Sequence, residues 1–162
     1  MNVRRFFTGF VFFGMLVLFA GCERIDLYEK TTAVPGHKWK SNFRPVFSFQ
    51  ITDTASPYQL YLTLRHSNAY NYNNIWVNLT TRQPDGRTAE ARYELPLAGN
   101  QQGWLGTGMG DLYAHRIALT PASQQFYFKQ AGTYTFTVQH LMREDPLGNI
   151  WNVGLRVEKR NR

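Results

Sequence analysis

The chain has 162 residues, with eighteen Lys and Arg against eleven Asp and Glu, a formal charge of +7, 43% hydrophobic residues and one cysteine. That apolar content is too high for a disordered chain, and the length suits a single domain behind a leader. One cysteine excludes a disulfide framework and any multi-cysteine metal site in the folded part.

The first element is a leader. Arg4 and Arg5 form a short positive region, and Phe6 to Gly21 is apolar or small except for Thr8. Sixteen helical residues span roughly 24 Å at about 1.5 Å each, short of the ~30 Å hydrocarbon core of a bilayer. Residues 1–21 therefore read as a cleaved export signal and not as a permanent membrane span. The stretch closes Leu18-Phe19-Ala20-Gly21-Cys22, which resembles the bacterial lipobox, where the cysteine thiol is alkylated by a diacylglyceryl group before cleavage. An ordinary signal with an incidental cysteine is the alternative, but it leaves an exported protein with a lone reactive thiol, which acylation of Cys22 removes. Two of the eighteen basic residues belong to the leader, so the mature chain carries sixteen against eleven acids, a charge of +5. Export conflicts with a nucleic-acid role. The residual charge fits weak attraction to anionic lipid or polysaccharide, or simply a solvated surface.

Residues 22–40 lack sustained periodicity and contain Pro35-Gly36, so they read as a lipid-anchored tether that orders near Trp39. A flexible segment of ~15 residues keeps the globule within a few nanometres of the bilayer. From residue 41 to 162 the pattern is period 2. Phe47, Phe49 and Ile51 alternate with polar residues, as do Leu60, Leu62 and Leu64; Ile75, Val77 and Leu79; and Ala89, Ala91, Tyr93 and Leu95. Further runs cover Tyr113 to Leu119, Phe126 to Phe128, Tyr134 to His140 and Ile150 to Glu158. Such alternation marks strands with one buried and one wet face. Between them lie Ser56-Pro57, Asn71 to Asn74, Pro84-Asp85-Gly86, Ala98-Gly99-Asn100, Ala131-Gly132 and Pro146 to Asn149, all turn chemistry. Pro84-Asp85-Gly86 predicts a hairpin, and Pro121 to Gln125 leaves room for a short helical turn. The expectation is an all-β fold, an antiparallel β-sandwich of about eight strands of jelly-roll or immunoglobulin-like type, with a closed barrel as the alternative. An outer-membrane barrel needs strands of roughly ten residues, and these runs are mostly shorter.

Chemistry is sparse. His37, His66, His115 and His140 show no metal-ligand spacing, no serine sits in a G-x-S-x-G or S-x-x-K arrangement, and no carboxylate pair stands out. No catalytic residue, metal or cofactor is assigned, and the chain reads as a non-enzyme. Gly103-Trp104-Leu105-Gly106-Thr107-Gly108-Met109-Gly110-Asp111 lacks the strand-to-helix context and Lys of a phosphate loop. It reads as a tight connection using positive-φ glycines around an anchoring Trp104. Tyr58, Tyr61, Tyr70, Tyr72 and Trp76 form an aromatic group that either stacks on sugars or fills the core. Asp53-Thr54-Ala55 resembles a bacterial periplasmic O-glycosylation signal with Thr54 as acceptor.

Taken in order, several blocks carry a resemblance. They are Trp39; Phe49-Gln50-Ile51-Thr52-Asp53; Leu60-Tyr61-Leu62-Thr63-Leu64-Arg65-His66; Tyr70, Tyr72 and Asn74-Ile75-Trp76; and Gly103-Trp104-Leu105-Gly106. After these come Gly132-Thr133-Tyr134-Thr135-Phe136, Gln139, Met142-Arg143, Leu147, Ile150 and Val153-Gly154. Together they resemble the gliding-motility lipoproteins of the H type (GldH). The resemblance implies a lipoprotein needed for gliding and for the linked type IX secretion machinery of Gram-negative bacteria, with no established catalytic residues. It also implies partners among other envelope lipoproteins and motor or secretion proteins, besides the bilayer held through acylated Cys22. The expected function is thus a non-catalytic accessory or assembly component, with a carbohydrate-binding envelope lipoprotein as the alternative. Arg65, His66, Tyr70, Tyr72, Trp76 and Trp104 form the candidate interaction face. Glu23 follows the cysteine without a dense acidic run, which points to the periplasm-facing side of the outer membrane.

Overall fold

A computed structural model describes residues 27–121 and 123–160. The signal segment and Cys22 lie outside the described residues. Thirteen strands follow in order: β1 (Leu27–Ala33), β2 (Lys38–Trp39), β3 (Val46–Ile51), β4 (Tyr58–Ser67), β5 (Asn74–Arg82), β6 (Thr88–Pro96), β7 (Ala98–Gly99), β8 (Gly103–Trp104), β9 (Thr107–Met109), β10 (Leu112–Ala118), β11 (Gly132–His140), β12 (Leu147–Gly148) and β13 (Ile150–Lys159). The only helical element among the described residues is a 3-10 turn at Pro35–His37.

Two antiparallel sheets dominate. One runs β1-β13-β4-β10-β9 and the other β3-β11-β5-β6, while β12–β2 and β7–β8 are short ribbons. Numbering only the eight strands of six residues or more, the sheets read 1-8-3-6 and 2-7-4-5. Both sheets are built from strands that pass back and forth between them, the double Greek key of a jelly roll. This settles the choice between jelly roll, immunoglobulin-like sandwich and barrel left open by the sequence.

The alternation does what period 2 requires. Leu60, Leu62 and Leu64 of β4, Val153, Leu155 and Val157 of β13, and Ile75, Val77 and Leu79 of β5 are all buried. So are Phe47, Phe49 and Ile51 of β3 and Tyr134, Phe136 and Val138 of β11, with Phe49 stacked on Phe136 at 5.5 Å. Each such side chain contributes roughly 1.5–3 kcal/mol of transfer free energy. The β5–β6 hairpin closes on the expected residues: Gly86 has φ +84°, and the Gln83 amide donates to the Arg87 carbonyl at 2.8 Å. Among the described residues of Pro121 to Gln125, Gln124 N–H donates to Pro121 O at 3.2 Å, closing a turn.

Two sequence expectations need correction. Residues 22–40 were to be tether, yet Leu27–Ala33 is strand β1, in register with Asn152 to Glu158 of β13. Its backbone pairing substitutes for the missing hydrophobic stripe, with Tyr28 as its one inward-facing ring, 4.9 Å from Phe49. Trp39 is fully buried, its indole N–H donating to Phe43 O at 2.8 Å. Phe126 to Phe128 is not a strand; it makes one bridge, Tyr58 with Phe126, and packs Phe128 edge-on against Tyr58 at 5.1 Å.

Candidate functional site

The last inward position of β4 is His66, one step beyond Leu60, Leu62 and Leu64 in the same alternating row. Strand β10 lies beside it with Tyr113 opposite His66 and His115 opposite Leu64. Three loops converge on this end of the sandwich. The turn after β4 brings Tyr70 and Tyr72, β8 brings Trp104, and the segment between β11 and β12 brings Glu144. The result is a ring cluster centred on His66, with Trp104 at 4.4 Å, His115 at 4.9 Å, Tyr70 at 5.2 Å and Tyr113 at 5.8 Å between centroids. Tyr72 continues it, edge-on to Tyr70 at 5.6 Å.

The polar tips of Tyr70, Tyr72, Trp104 and His66 are satisfied, as buried donors and acceptors require. Tyr70 O–H donates to Asn74 O at 3.0 Å, Tyr72 O–H to Glu144 Oε2 at 3.0 Å, and Trp104 Nε1–H to Asn68 Oδ1 at 2.8 Å. His66 Nδ1 lies 2.8 Å from Ser67 O and His66 Nε2 lies 2.8 Å from His115 Nε2. The carbonyl can only accept, so Nδ1 of His66 carries the proton and its Nε2 accepts from Nε2–H of His115. That arrangement holds both rings neutral. Burial pushes the His66 pKa down, and burial followed by repulsion from His66 pushes that of His115 from 6.5 to about 4. Tyr70 is raised chiefly by burial, and Tyr72 chiefly by its bond to the Glu144 carboxylate. Neither imidazole bonds a serine, cysteine or carboxylate side chain among the described residues. The geometry is that of a rigid plug.

Gly106 shows how tightly the glycine loop is held. A Cβ there would meet Ala114 O at 2.6 Å and His115 Nε2 at 2.7 Å, so a side chain would separate the loop from β10. Gly103 and Gly110 take the positive φ expected of turn glycines, +67° and +60°. The loop thus clamps on the His66 cluster and leaves Leu105 and Met109 exposed. Beyond Leu105, the outer face of the five-stranded sheet forms a trough of about 730 Å³, with Thr63, Ala114 and Asn152 among its lining residues and Arg65, Arg116 and Arg156 around it. Arg156 pairs with Glu29 and Glu158, and Arg116 stands 5.3 Å over the Tyr61 ring. Arg65 has no ion pair among the described residues.

A family model described as GldH lipoprotein matches residues 26–157. The chain belongs to the GldH lipoprotein family. It is 25% identical to a gliding motility lipoprotein GldH homolog of Christiangramia forsetii over 164 residues, covering 97% of this chain and 98% of that one. It is 22% identical to the gliding motility lipoprotein GldH of Flavobacterium johnsoniae over 165 residues, covering 95% and 97%. Among solved structures, a carbohydrate-binding module specific for non-crystalline cellulose aligns with TM-score 0.46 and 12% identity over 82% of this chain and 73% of its own. Family membership makes the protein a membrane-anchored lipoprotein of the cell envelope, of the gliding-motility type.

In this GldH-family chain the six residues expected to share one face divide. His66 and Tyr70 are buried, Tyr72 and Trp104 are half-buried at the same end, and all four touch through rings. Arg65 and Trp76 point away from the core on opposite sheets, because each occupies the outward phase of its strand. Trp76 keeps company with Met142, whose sulfur accepts its backbone N–H at 3.3 Å. The tyrosines from Tyr58 to Tyr72 likewise build no common platform, since Tyr58 and Tyr70 are core. Thr54 is exposed in a turn organised by Asp53, whose carboxylate accepts from Ala55 N–H at 2.8 Å and pairs with Lys159 at 2.8 Å. Lys159 and Ser56 hold that carboxyl well below the usual range.

Sequence reading missed His115, Tyr113 and the trough around Thr63 and Arg116. His115 shares its phase with Tyr113 and Ile117, so the alternation pointed it inward; its partner forty-nine positions away lay beyond any local pattern.

Proposed function

We propose that the protein is a non-catalytic accessory or assembly component of the gliding apparatus and of the linked type IX secretion machinery. In this reading, acylated Cys22 holds the jelly roll on the periplasmic side of the outer membrane. The observation that carries it is the pairing of a family match over nearly the whole domain with an aromatic centre that is closed, neutral and hydrogen-bonded. Such a centre acts by holding a surface in shape. The surface it holds is the trough between Arg65 and the Leu105 loop, where arginines, carboxylates and an exposed apolar rim offer the mixture typical of protein contacts. Partners are expected among other lipoproteins and envelope proteins of the same machinery. Thr54 remains an accessible acceptor for O-glycosylation.

The test uses Arg65→Glu combined with Leu105→Asp in the anchored protein, in its own cells. Both side chains are exposed, so folding and membrane attachment are expected to persist while gliding or type IX cargo secretion falls. Unchanged motility and secretion at normal protein levels would falsify the assignment of this trough.

A further inference from the structure

Strand β6 ends the four-stranded sheet and, at nine residues, is longer than the other three edges, β1, β3 and β9. A long free edge presents a row of unpaired backbone donors and acceptors, and stable proteins cover or blunt such rows. Here the edge is uncovered on its inner side too. Ala89 and Ala91 face inward by phase yet are exposed, because they stand at the mouth of an apolar cleft of about 280 Å³ lined by Leu60, Leu79, Tyr93, Phe126 and Phe128. On the outer side, Glu90, Arg92 and Glu94 are exposed, and Arg92 makes no ion pair among the described residues.

We infer that β6 is a homodimer interface, pairing antiparallel with β6 of a second copy about a two-fold axis at Ala91. Register decides this. Centring the pair on Arg92 sets Arg92 against Arg92 and Glu90 against Glu94, like charges throughout. Centring on Tyr93 runs the pairing into Pro96, which has no N–H, and into fully buried Leu97. Centring on Ala91 sets Glu90 against Arg92 twice and gives the unpaired Arg92 a carboxylate. It also sets Tyr93 against Ala89 twice, so each large ring faces a small residue beside the open cleft. A single strand is thus self-complementary in charge and in size in this register, as an isologous contact requires. The two four-stranded sheets then join into one of eight strands, and both β6 edges are covered, leaving only the shorter β3 at each end. This inference stands independently of the trough at Arg65.

The test takes the full lipoprotein in detergent micelles and adds one cysteine at a time, with the unsubstituted chain as control and copper–phenanthroline as oxidant. Ala91→Cys should cross-link to a dimer, because residues facing each other across such a pair have Cβ atoms about 5 Å apart; Glu94→Cys, which faces Thr88, should not. Glu90→Arg and Arg92→Glu should each weaken dimerisation about tenfold or more by turning both cross-strand pairs repulsive, and the double reversal should restore it. The inference is overturned by equal cross-linking at 91 and 94, by a dimer indifferent to the single reversals, or by a double reversal as weak as the singles. Cross-linking of Ala91→Cys only to a different protein also overturns it.

Discussion

At the His66 end of the sandwich, inward positions of β4 and β10 carry rings that touch one another and bond at their tips. Under β6, inward positions carry Ala89 and Ala91 and face an unfilled cleft. Both regions come from the same period-2 pattern. The difference is what stands around them: three loops close over His66, whereas β6 has a strand, β5, on one side only and the Phe126–Phe128 segment near its inner face. Alternation tells which face of a strand is apolar; the topology tells whether anything covers it.

That contrast can be broken by substitution. At the closed end, His66→Ala removes a fully buried ring and orphans His115, and should cost about 3–5 kcal/mol in urea unfolding, as loss of a large core side chain does. A cost below 1 kcal/mol would show the cluster to be loose. Acid sharpens the same point. The His115 pKa is depressed to about 4, so the native pair resists protons that the unfolded chain accepts. Its contribution is complete above pH 6.5 and is lost as pH falls toward 4, a change of up to about 3 kcal/mol. His115→Gln should flatten the fall in stability over that window, and an unchanged slope would contradict the neutral pair. Gly106→Ala drives a methyl into the Ala114 carbonyl and the His115 ring, and about 1–3 kcal/mol of overpacking strain is expected. At the open edge, Ala91→Ser sits at an equally inward phase but should change stability by no more than about 0.5 kcal/mol.

Much of the fold was legible because local pattern and global packing agree. The rows beginning at Phe47, Leu60, Ile75 and Tyr134 face the core as read, and Pro84-Asp85-Gly86 makes its hairpin. Strand β1 was not legible, since Leu-Tyr-Glu-Lys-Thr-Thr-Ala has one inward apolar residue and owes its form to the β13 backbone. The site was half legible. Tyr70, Tyr72, Trp104 and His66 do meet, but alternation alone separates Arg65 from His66, and the sheet order puts Trp76 on the far face. The sugar-platform alternative loses its footing for the same reason: Tyr58 and Tyr70 spend their rings on the core.

On the proposed function, the working unit is the folded domain held at the membrane, acting through its surface. Cys22→Ser in the native organism tests it most directly. The Cys22→Ser protein is expected to keep the melting temperature of its domain, to leave the membrane fraction, and to support neither gliding nor type IX secretion. A soluble Cys22→Ser protein with full activity would contradict it.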